Sequence, residues 1–279
     1  MDVYKLCPYK YYLQFVECWE ADKTFSALLF GKAFDLALNY ILEVTKSNKT
    51  PENTKAYKIF EAEMNTWTGQ NEFLYFKYEL PLGLDLDEMS SDNRQRAAFD
   101  NLLVIGRKMI DTYIDKILPQ FDEILEIQVK KKIENDEGDI LTVIIDTIVK
   151  MKDGRTVLFD HKSGSDIKKY YPKNSAGKSQ QLSLYVDQFP GINNIGYIPL
   201  QKKLVENEVV YDIIINEVDP LRVEAAYQDV TDTLEKIKDG RFEKNEKNCF
   251  QFGRMCDHFA LCKYGKRKGM IQKFPEIKR

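Results

Sequence analysis

Two histidines, two tryptophans and no run of about 18 apolar residues mark this 279-residue sequence by what it lacks. Without such a run no transmembrane helix is expected. The opening stretch MDVYKLCPYKYYL has neither the apolar core nor the small-residue cleavage site of a signal peptide, so a cytoplasmic protein is expected. In that compartment the five cysteines are not expected to form structural disulfides; they are spectators or metal ligands. Internal repeats and low-complexity segments are absent. Neither charge is in strong excess, and the net charge of −3 says nothing for nucleic acid by itself. Its distribution says more. Residues 241–279 carry eleven Lys and Arg against four Asp and Glu, and Lys162, Lys168, Lys169, Lys173 and Lys178 crowd a second stretch. Two basic stretches in an otherwise acidic chain suit a phosphate backbone touched at chosen places, although a solvated tail explains the first equally well.

The apolar fraction of 43% allows a sizeable core, and the length suits one domain carrying an insertion. The first 20 residues are rich in aromatics. Residues 26–45 carry Leu29, Phe30, Ala33, Phe34, Ala37, Leu38, Ile41 and Leu42 at helical spacing. Further helices are expected over 54–67 and 92–117, the second stopped by Pro119, with a loop over 71–91. The pattern then changes to strands at 122–133, 139–151 and 155–162, joined as a meander. A Gly/Ser/Lys loop over 163–178 leads to a short helix over 179–189, two strands at 192–201 and 207–216, and a helix over 219–239. That last helix has Val223, Ala226, Val230, Leu234 and Ile237 on one stripe.

The stretch ILTVIIDTIVKMKDGRTVLFDHKSG, residues 140–164, sets acids among β-branched residues, where a charge is costly to bury. Asp146 and Asp160 fall near the ends of neighbouring strands joined by the turn Lys152-Asp153-Gly154. Two carboxylates so placed repel one another, and a divalent cation such as Mg²⁺ or Mn²⁺ resolves the conflict. Lys162 shares a face with Asp160 and can position a water. Acid, acid, lysine and metal suit phosphodiester hydrolysis, although a hairpin with polar ends and an Asp–Lys pair explains the two strands alone. Gln181 and Tyr185 share a helix face four residues apart, as do Gly31 and Asp35.

The set Gly31-x3-Asp35, Asp146, Asp160-x-Lys162 and Gln181-x3-Tyr185 resembles the PD-(D/E)XK nuclease superfamily. It is most similar to the branch with RecB and AddB nuclease domains, CRISPR-associated RecB-like nucleases and many phage exonucleases. The resemblance implies a restriction-endonuclease-like α/β fold, a mixed central sheet flanked by helices, as one nuclease domain over 1–279. Within it a helical insertion would span 45–118, the catalytic sheet core 120–216 and a cysteine-bearing basic tail 241–279. It implies that Asp146 and Asp160 bind Mg²⁺ or Mn²⁺, that the backbone carbonyl of His161 completes the metal site, and that Lys162 activates the water. Gln181 and Tyr185 would contact substrate and steady the site. The family usually has histidine where this chain has Asp35. Neither His161 nor His258 lies in that helix, so Asp35, a hard oxygen donor, is expected as a direct or water-mediated ligand.

Three cysteines within CFQFGRMCDHFALC, Cys249-x6-Cys256-x5-Cys262, suit thiolate metal binding. On the residues alone zinc, with His258 as a ligand, and free buried thiols both stay open, and Cys7 or Cys18 can supply a fourth ligand. Chains of the branch named above pair an N-terminal Cys-Pro with three C-terminal cysteines around a 4Fe–4S cluster, which implies Cys7. The whole resemblance implies a metal-dependent deoxyribonuclease, an exonuclease more than an endonuclease, acting on single-stranded DNA or DNA ends. Its setting would be recombination, repair, phage replication or CRISPR spacer acquisition, with protein partners there and no membrane. Two other readings remain: a nucleic-acid-binding relative without catalysis, and a subunit that uses the cluster only to fold.

Overall fold

A computed structural model of the chain describes residues 2–81, 84, 87–134, 138–251 and 254–273. The chain forms two compact units, residues 24–226 and residues 1–23 with 227–279. In the larger unit, helix α1 (Ser26–Lys46) buries all eight apolar residues of the predicted stripe. Helices α2 (Asn53–Met64) and α3 (Ser91–Thr112) add Phe60, Met64, Phe99, Leu102 and Met109 to the same core. Ser90 caps α3 by accepting from the backbone N–H of Asn93, as its residue type favours. The helix then widens over Tyr113–Ile117 and ends in a tight turn, Leu118–Gln120, whose first residues tolerate Pro119. The predicted loop over 71–91 holds a short strand, Glu72–Leu74, and a 3-10 turn, Lys77–Glu79; residues 82, 83, 85 and 86 lie outside the described residues.

Five strands form one mixed sheet in the order β1 (Phe121–Glu134), β2 (Ile140–Met151), β3 (Thr156–Gly164), β4 (Asn194–Gln201), β5 (Ile214–Glu217). The β1–β2, β2–β3 and β4–β5 pairs are antiparallel. The β3–β4 pair is parallel and needs a crossover, which contains helix α4 (Gln180–Val186). At the β2–β3 turn Gly154 adopts φ +91°, a conformation that glycine reaches without a Cβ clash. Strand β3 is covered on both faces. Val157 and Phe159 join the core of α1–α3, while Leu158 joins a second core with Leu182, Tyr185 and Ile195. That double burial explains the consecutive apolar residues Val157, Leu158 and Phe159. The strand expected over 207–216 is mostly not one. A tight turn places Glu206 and Asn207 at φ +50° and +66°, and only residues from Ile214 onward pair regularly with β4. Helix α5 (Pro220–Lys238) follows, with Ala226 and Val230 buried four residues apart.

The smaller unit is built from both ends of the chain. Trp19–Ala21 pairs antiparallel with Met270–Gln272. The Tyr4 hydroxyl donates to the Arg241 carbonyl oxygen (2.6 Å), and the rings of Tyr4, Tyr11 and Tyr12 pack on Phe242. The aromatic richness of the first 20 residues is therefore this unit's core. The end of the basic tail, residues 274–279, lies outside the described residues.

One ion pair is sealed inside the larger unit. Lys202 Nζ lies 2.8 Å from Glu79 Oε1, with the two side chains 2% and 0% exposed. Glu79 Oε2 also accepts from the Ser26 hydroxyl (2.6 Å) and the Phe76 N–H (2.9 Å). Removing one partner strands the other charge in a medium that cannot solvate it. Lys202→Met is expected to destabilise the protein by about 3–5 kcal/mol, and Glu79→Gln added to it should recover much of the loss. Urea unfolding of the two variants checks this; equal stability of Lys202→Met and wild type would refute it.

Candidate active site

The pairing of β2 with β3 covers only residues 147–150 against 156–159. Beyond it the strands part: β2 continues along β1, and β3 continues along β4 from His161 to Gly164. Asp146 and Asp160 are the first residues past the last pair, Thr147 and Phe159, so both acids stand at the mouth of a fork in the sheet. The backbone N–H of His161, unpaired with β2, donates to Asp146 Oδ2 (2.9 Å). The His161 ring is buried, with Nδ1 3.8 Å from the same carboxylate oxygen and Nε2 2.9 Å from the Tyr113 hydroxyl. The ring therefore buttresses Asp146 from within the core.

Lys162 comes next on the face of Asp160. Its ammonium lies 2.5 Å from Asp160 Oδ2 and 3.5 Å from Gln181 Oε1. Gln181 in turn donates from Nε2 to the Tyr185 hydroxyl (2.6 Å). The two residues read as partners on one helix face thus form a relay ending on the lysine. Two aromatic residues not singled out in the sequence complete the wall. The Tyr197 ring centroid is 5.8 Å from Lys162 Nζ, and Tyr171 packs edge-on to Tyr197 at 5.3 Å. Their signal was present: Tyr197 pairs with Asp160 in the parallel register, but only the β3–β4 alignment makes them neighbours.

Asp35 projects from α1 into an open cavity of ≈ 440 Å³ that it lines together with Asp146. Asp35 is exposed to this cavity, and partial desolvation, then the charge of Asp146, push its carboxyl up to about 6. Asp160 is raised as well, by burial first; the charge of Asp146 adds to this and the Lys162 ammonium opposes it. Burial also works against ionised Asp146, but the hydrogen bonds and charge of His161 prevail and hold it below the usual range. Lys162 is pushed up to about 12: burial disfavours its charge, and the Asp160 carboxylate more than compensates. The lysine is thus an ammonium at neutral pH.

Among the described residues, no group of three or more His, Cys, Asp and Glu side chains is arranged to hold a metal ion. The donor chemistry nevertheless suits one. Asp160 Oδ2 is shut off from water, and the Lys162 ammonium meets it at 2.5 Å. Clustered oxygen donors, two of them with raised pKa, fit a small hard cation.

All five cysteines belong to the smaller unit and are free. Cys7, Cys249, Cys256 and Cys262 line one cavity of ≈ 160 Å³; Cys18 is not among its lining residues. Backbone bonds shape this pocket. Cys256 N–H donates to the Cys249 carbonyl oxygen (2.7 Å), and the Asn245 and Asn248 amides donate to the Leu6 carbonyl oxygen (2.9 and 2.6 Å). Burial, and then the neighbouring thiols, push Cys262 up. His258 lines the same cavity; its Nε2 donates to the Trp19 carbonyl oxygen (2.8 Å), and its buried Nδ1 has no partner among the described residues.

A family model described as the PD-(D/E)XK nuclease superfamily matches residues 1–263. A comparison with curated proteins gives no match. Among solved structures, the crystal structure of SSO0001 is similar at 10% identity and a TM-score of 0.30, covering 77% of this chain and 77% of that one. A protein from Eubacterium rectale, provisionally named an exonuclease, is similar at 13% identity and a TM-score of 0.37, covering 88% of this chain and 92% of that one.

The raised acids give a pH dependence whose sign is fixed. An acid with a folded pKa above its unfolded value binds its proton more tightly when folded, so stability rises as pH falls through the folded value. The metal-free protein is therefore expected to gain stability between about pH 7.5 and 5.5, before general acid unfolding. Asp35→Asn should flatten that rise and stabilise the metal-free protein at pH 7.5 by about 1 kcal/mol, since water partly screens the cavity-facing carboxyl. Melting curves in EDTA across this range test the point; a wild-type stability that only falls on acidification would contradict it.

Proposed function

The chain belongs to the PD-(D/E)XK nuclease superfamily, and we propose that it hydrolyses DNA phosphodiester bonds at the β2–β3 fork with the help of Mg²⁺ or Mn²⁺. The observation that carries this reading is the fork itself, which brings Asp146, Asp160 and the ammonium of Lys162 to one opening beside Asp35. Asp35, Asp146 and Asp160, with the backbone carbonyl of His161, are the proposed ligands. The ion would supply Lewis acidity toward the phosphate and lower the pKa of a bound water.

The remaining roles belong to the chain. Lys162 is charged, so it does not take a proton; it holds the attacking water by hydrogen bonding and offsets charge that builds on the phosphate oxygens. Gln181 and Tyr185 keep the lysine head in place while leaving it donors to spare. Tyr113 and His161 hold Asp146 in a fixed orientation from the core side. Lys168, Lys169 and Lys173 are exposed just after β3, and with Lys178 they are the proposed phosphate contacts. An exonuclease acting on single strands or DNA ends is the activity proposed, on the sequence resemblance to the RecB/AddB-like branch.

A 4Fe–4S cluster held by Cys7, Cys249, Cys256 and Cys262 is the second part of the proposal. Four cysteines lining one cavity support this reading, and the N-terminal Cys-Pro paired with three C-terminal cysteines, as in the RecB/AddB-like branch, favours a cluster over zinc. Its chemistry there would be structural, tying the N-terminal segment to the tail.

Two outcomes are expected. Asp160→Ala and Lys162→Ala should each lower DNA cleavage in Mg²⁺ or Mn²⁺ by about 100-fold or more while largely retaining DNA binding, because both act on the reacting groups rather than on affinity. Cleavage of end-labelled DNA at near wild-type rates by either variant would remove this site from the reading. Protein purified without oxygen should carry about four irons and absorb broadly near 400 nm, as iron–sulfur proteins do. Cys256→Ala should lose both iron and stability, and Cys18→Ala neither. Iron-free wild type, or bleaching by Cys18→Ala but not Cys7→Ala, would overturn the ligand set.

A further inference from the structure

Two residues beside Asp35 are locally unfavourable. Gly31 lies within α1, one turn before Asp35, where glycine weakens a helix relative to alanine. A Cβ built at Gly31 would meet nothing within 4 Å, so no neighbouring side chain or backbone needs the glycine. Across the cavity Gln128 lies inside strand β1 with φ +48°, in the left-handed region that a side chain makes costly. The other non-glycine residues described with positive φ, Cys18, Asn48, Glu206 and Asn207, stand in turns or at the ends of elements. Gln128 is the exception within a regular strand, and the β1–β2 register sets it opposite Asp146.

Both residues line the cavity that holds Asp35 and Asp146. Asn39, one turn beyond Asp35 on α1, lines it too, and neither the Asn39 nor the Gln128 amide has a hydrogen-bond partner among the described residues. Leu28, 73% exposed, lines it as well, with Ala27, Lys32 and Leu36. Two amides, a bare stretch of helix, apolar side chains and one lysine therefore face a single trough that also holds two acids.

We infer that this trough between α1 and β1 is the track on which a DNA strand lies as it meets the fork, an inference that rests on the nuclease reading. The absent side chain of Gly31 lets the sugar–phosphate backbone approach the helix closely. The amides of Gln128 and Asn39 donate to phosphate oxygens, and Leu28 meets the sugar or base beyond. Lys32 lines the trough as well, but Glu63 holds its ammonium at 2.6 Å, which leaves the neutral amides of Gln128 and Asn39 as the uncommitted donors there among the described residues. The strain at Gln128 aims a donor at the substrate and brings no gain to the fold.

That reading gives effects of opposite sign in one variant. Gly31→Ala improves helix propensity and fills empty space, and Gln128→Gly relieves the left-handed residue. Both should keep or raise the melting temperature. Both should weaken the binding of a fluorescent single-stranded oligonucleotide in EDTA, Gln128→Gly by about tenfold, the size expected for one lost hydrogen bond to a charged group, and Gly31→Ala through a methyl group set in the strand's path. Gln128→Ala, which deletes the amide but keeps the strain, should lose the same affinity without any gain in melting temperature. Variants that bind DNA as wild type does would overturn the track, and so would a lowered melting temperature for Gln128→Gly, which would make the strain a folding requirement. Wild-type cleavage of the same oligonucleotide in Mn²⁺ is scored separately. If wild type binds but does not cut, and the variants bind less, the nuclease reading falls and the track stands.

Discussion

The larger unit turns on one interruption of backbone pairing. β2 and β3 part immediately after Thr147 and Phe159, because β2 must stay on β1 while β3 follows the parallel strand β4. Parting exposes backbone groups that a continuous ladder would have satisfied. One of them, the His161 N–H, is satisfied by Asp146 instead. The fork therefore does two things at once: it opens a notch beside a strand, β3, that is covered on both faces, and it supplies a fixed donor that keeps one acid ionised at the rim.

Charge in the notch is arranged in pairs that do not quite close. Asp146 is matched by His161, and Asp160 by Lys162, yet burial still raises Asp160, and partial desolvation with the charges of Asp146 and Asp160 raises Asp35 more than His161 and Lys162 lower it. The sealed Glu79–Lys202 pair elsewhere in the same unit is the contrast, since there three donors satisfy one carboxylate. A protein able to satisfy a buried acid fully in one place leaves Asp35 and Asp160 with raised pKa values in another. Asp35 faces the cavity with Asp146, where a cation and a phosphate would complete the set. The same logic extends along the trough: Gly31 and Gln128 give up local stability where a ligand, not a neighbouring side chain, would recover it.

The smaller unit solves a different problem. It is assembled from segments more than 200 residues apart in sequence, so closing it costs chain entropy. Strand pairing of Trp19–Ala21 with Met270–Gln272, the Tyr4–Arg241 bond and the asparagine bonds to Leu6 close it, and the four cysteines meet inside it. A cluster bound there would add its binding free energy to this closure, which is why folding and iron content are expected to move together.

Periodicity alone was enough for much of this architecture. The eight-residue stripe of α1, the three-strand meander and the short helix before β4 follow from spacing of 3.6 and 2, and from turn residues such as Gly154. Asp146, Asp160 and Lys162 were conspicuous because charge is expensive among β-branched residues. The spacing Gln181-x3-Tyr185 placed two side chains on one helix face before any fold was known. What periodicity could not give is which strand neighbours which, and where a ladder stops. The parallel β3–β4 register, decided by the packing of α4 in the crossover, sets Tyr197 beside Asp160 and closes the wall around Lys162. The shortness of β5 follows from a tight turn at Glu206–Asn207 that a run of apolar residues concealed. The left-handed Gln128 was invisible for the same reason: a residue's backbone conformation against its own preference is imposed by contacts distant in sequence, and only the tertiary structure contains them.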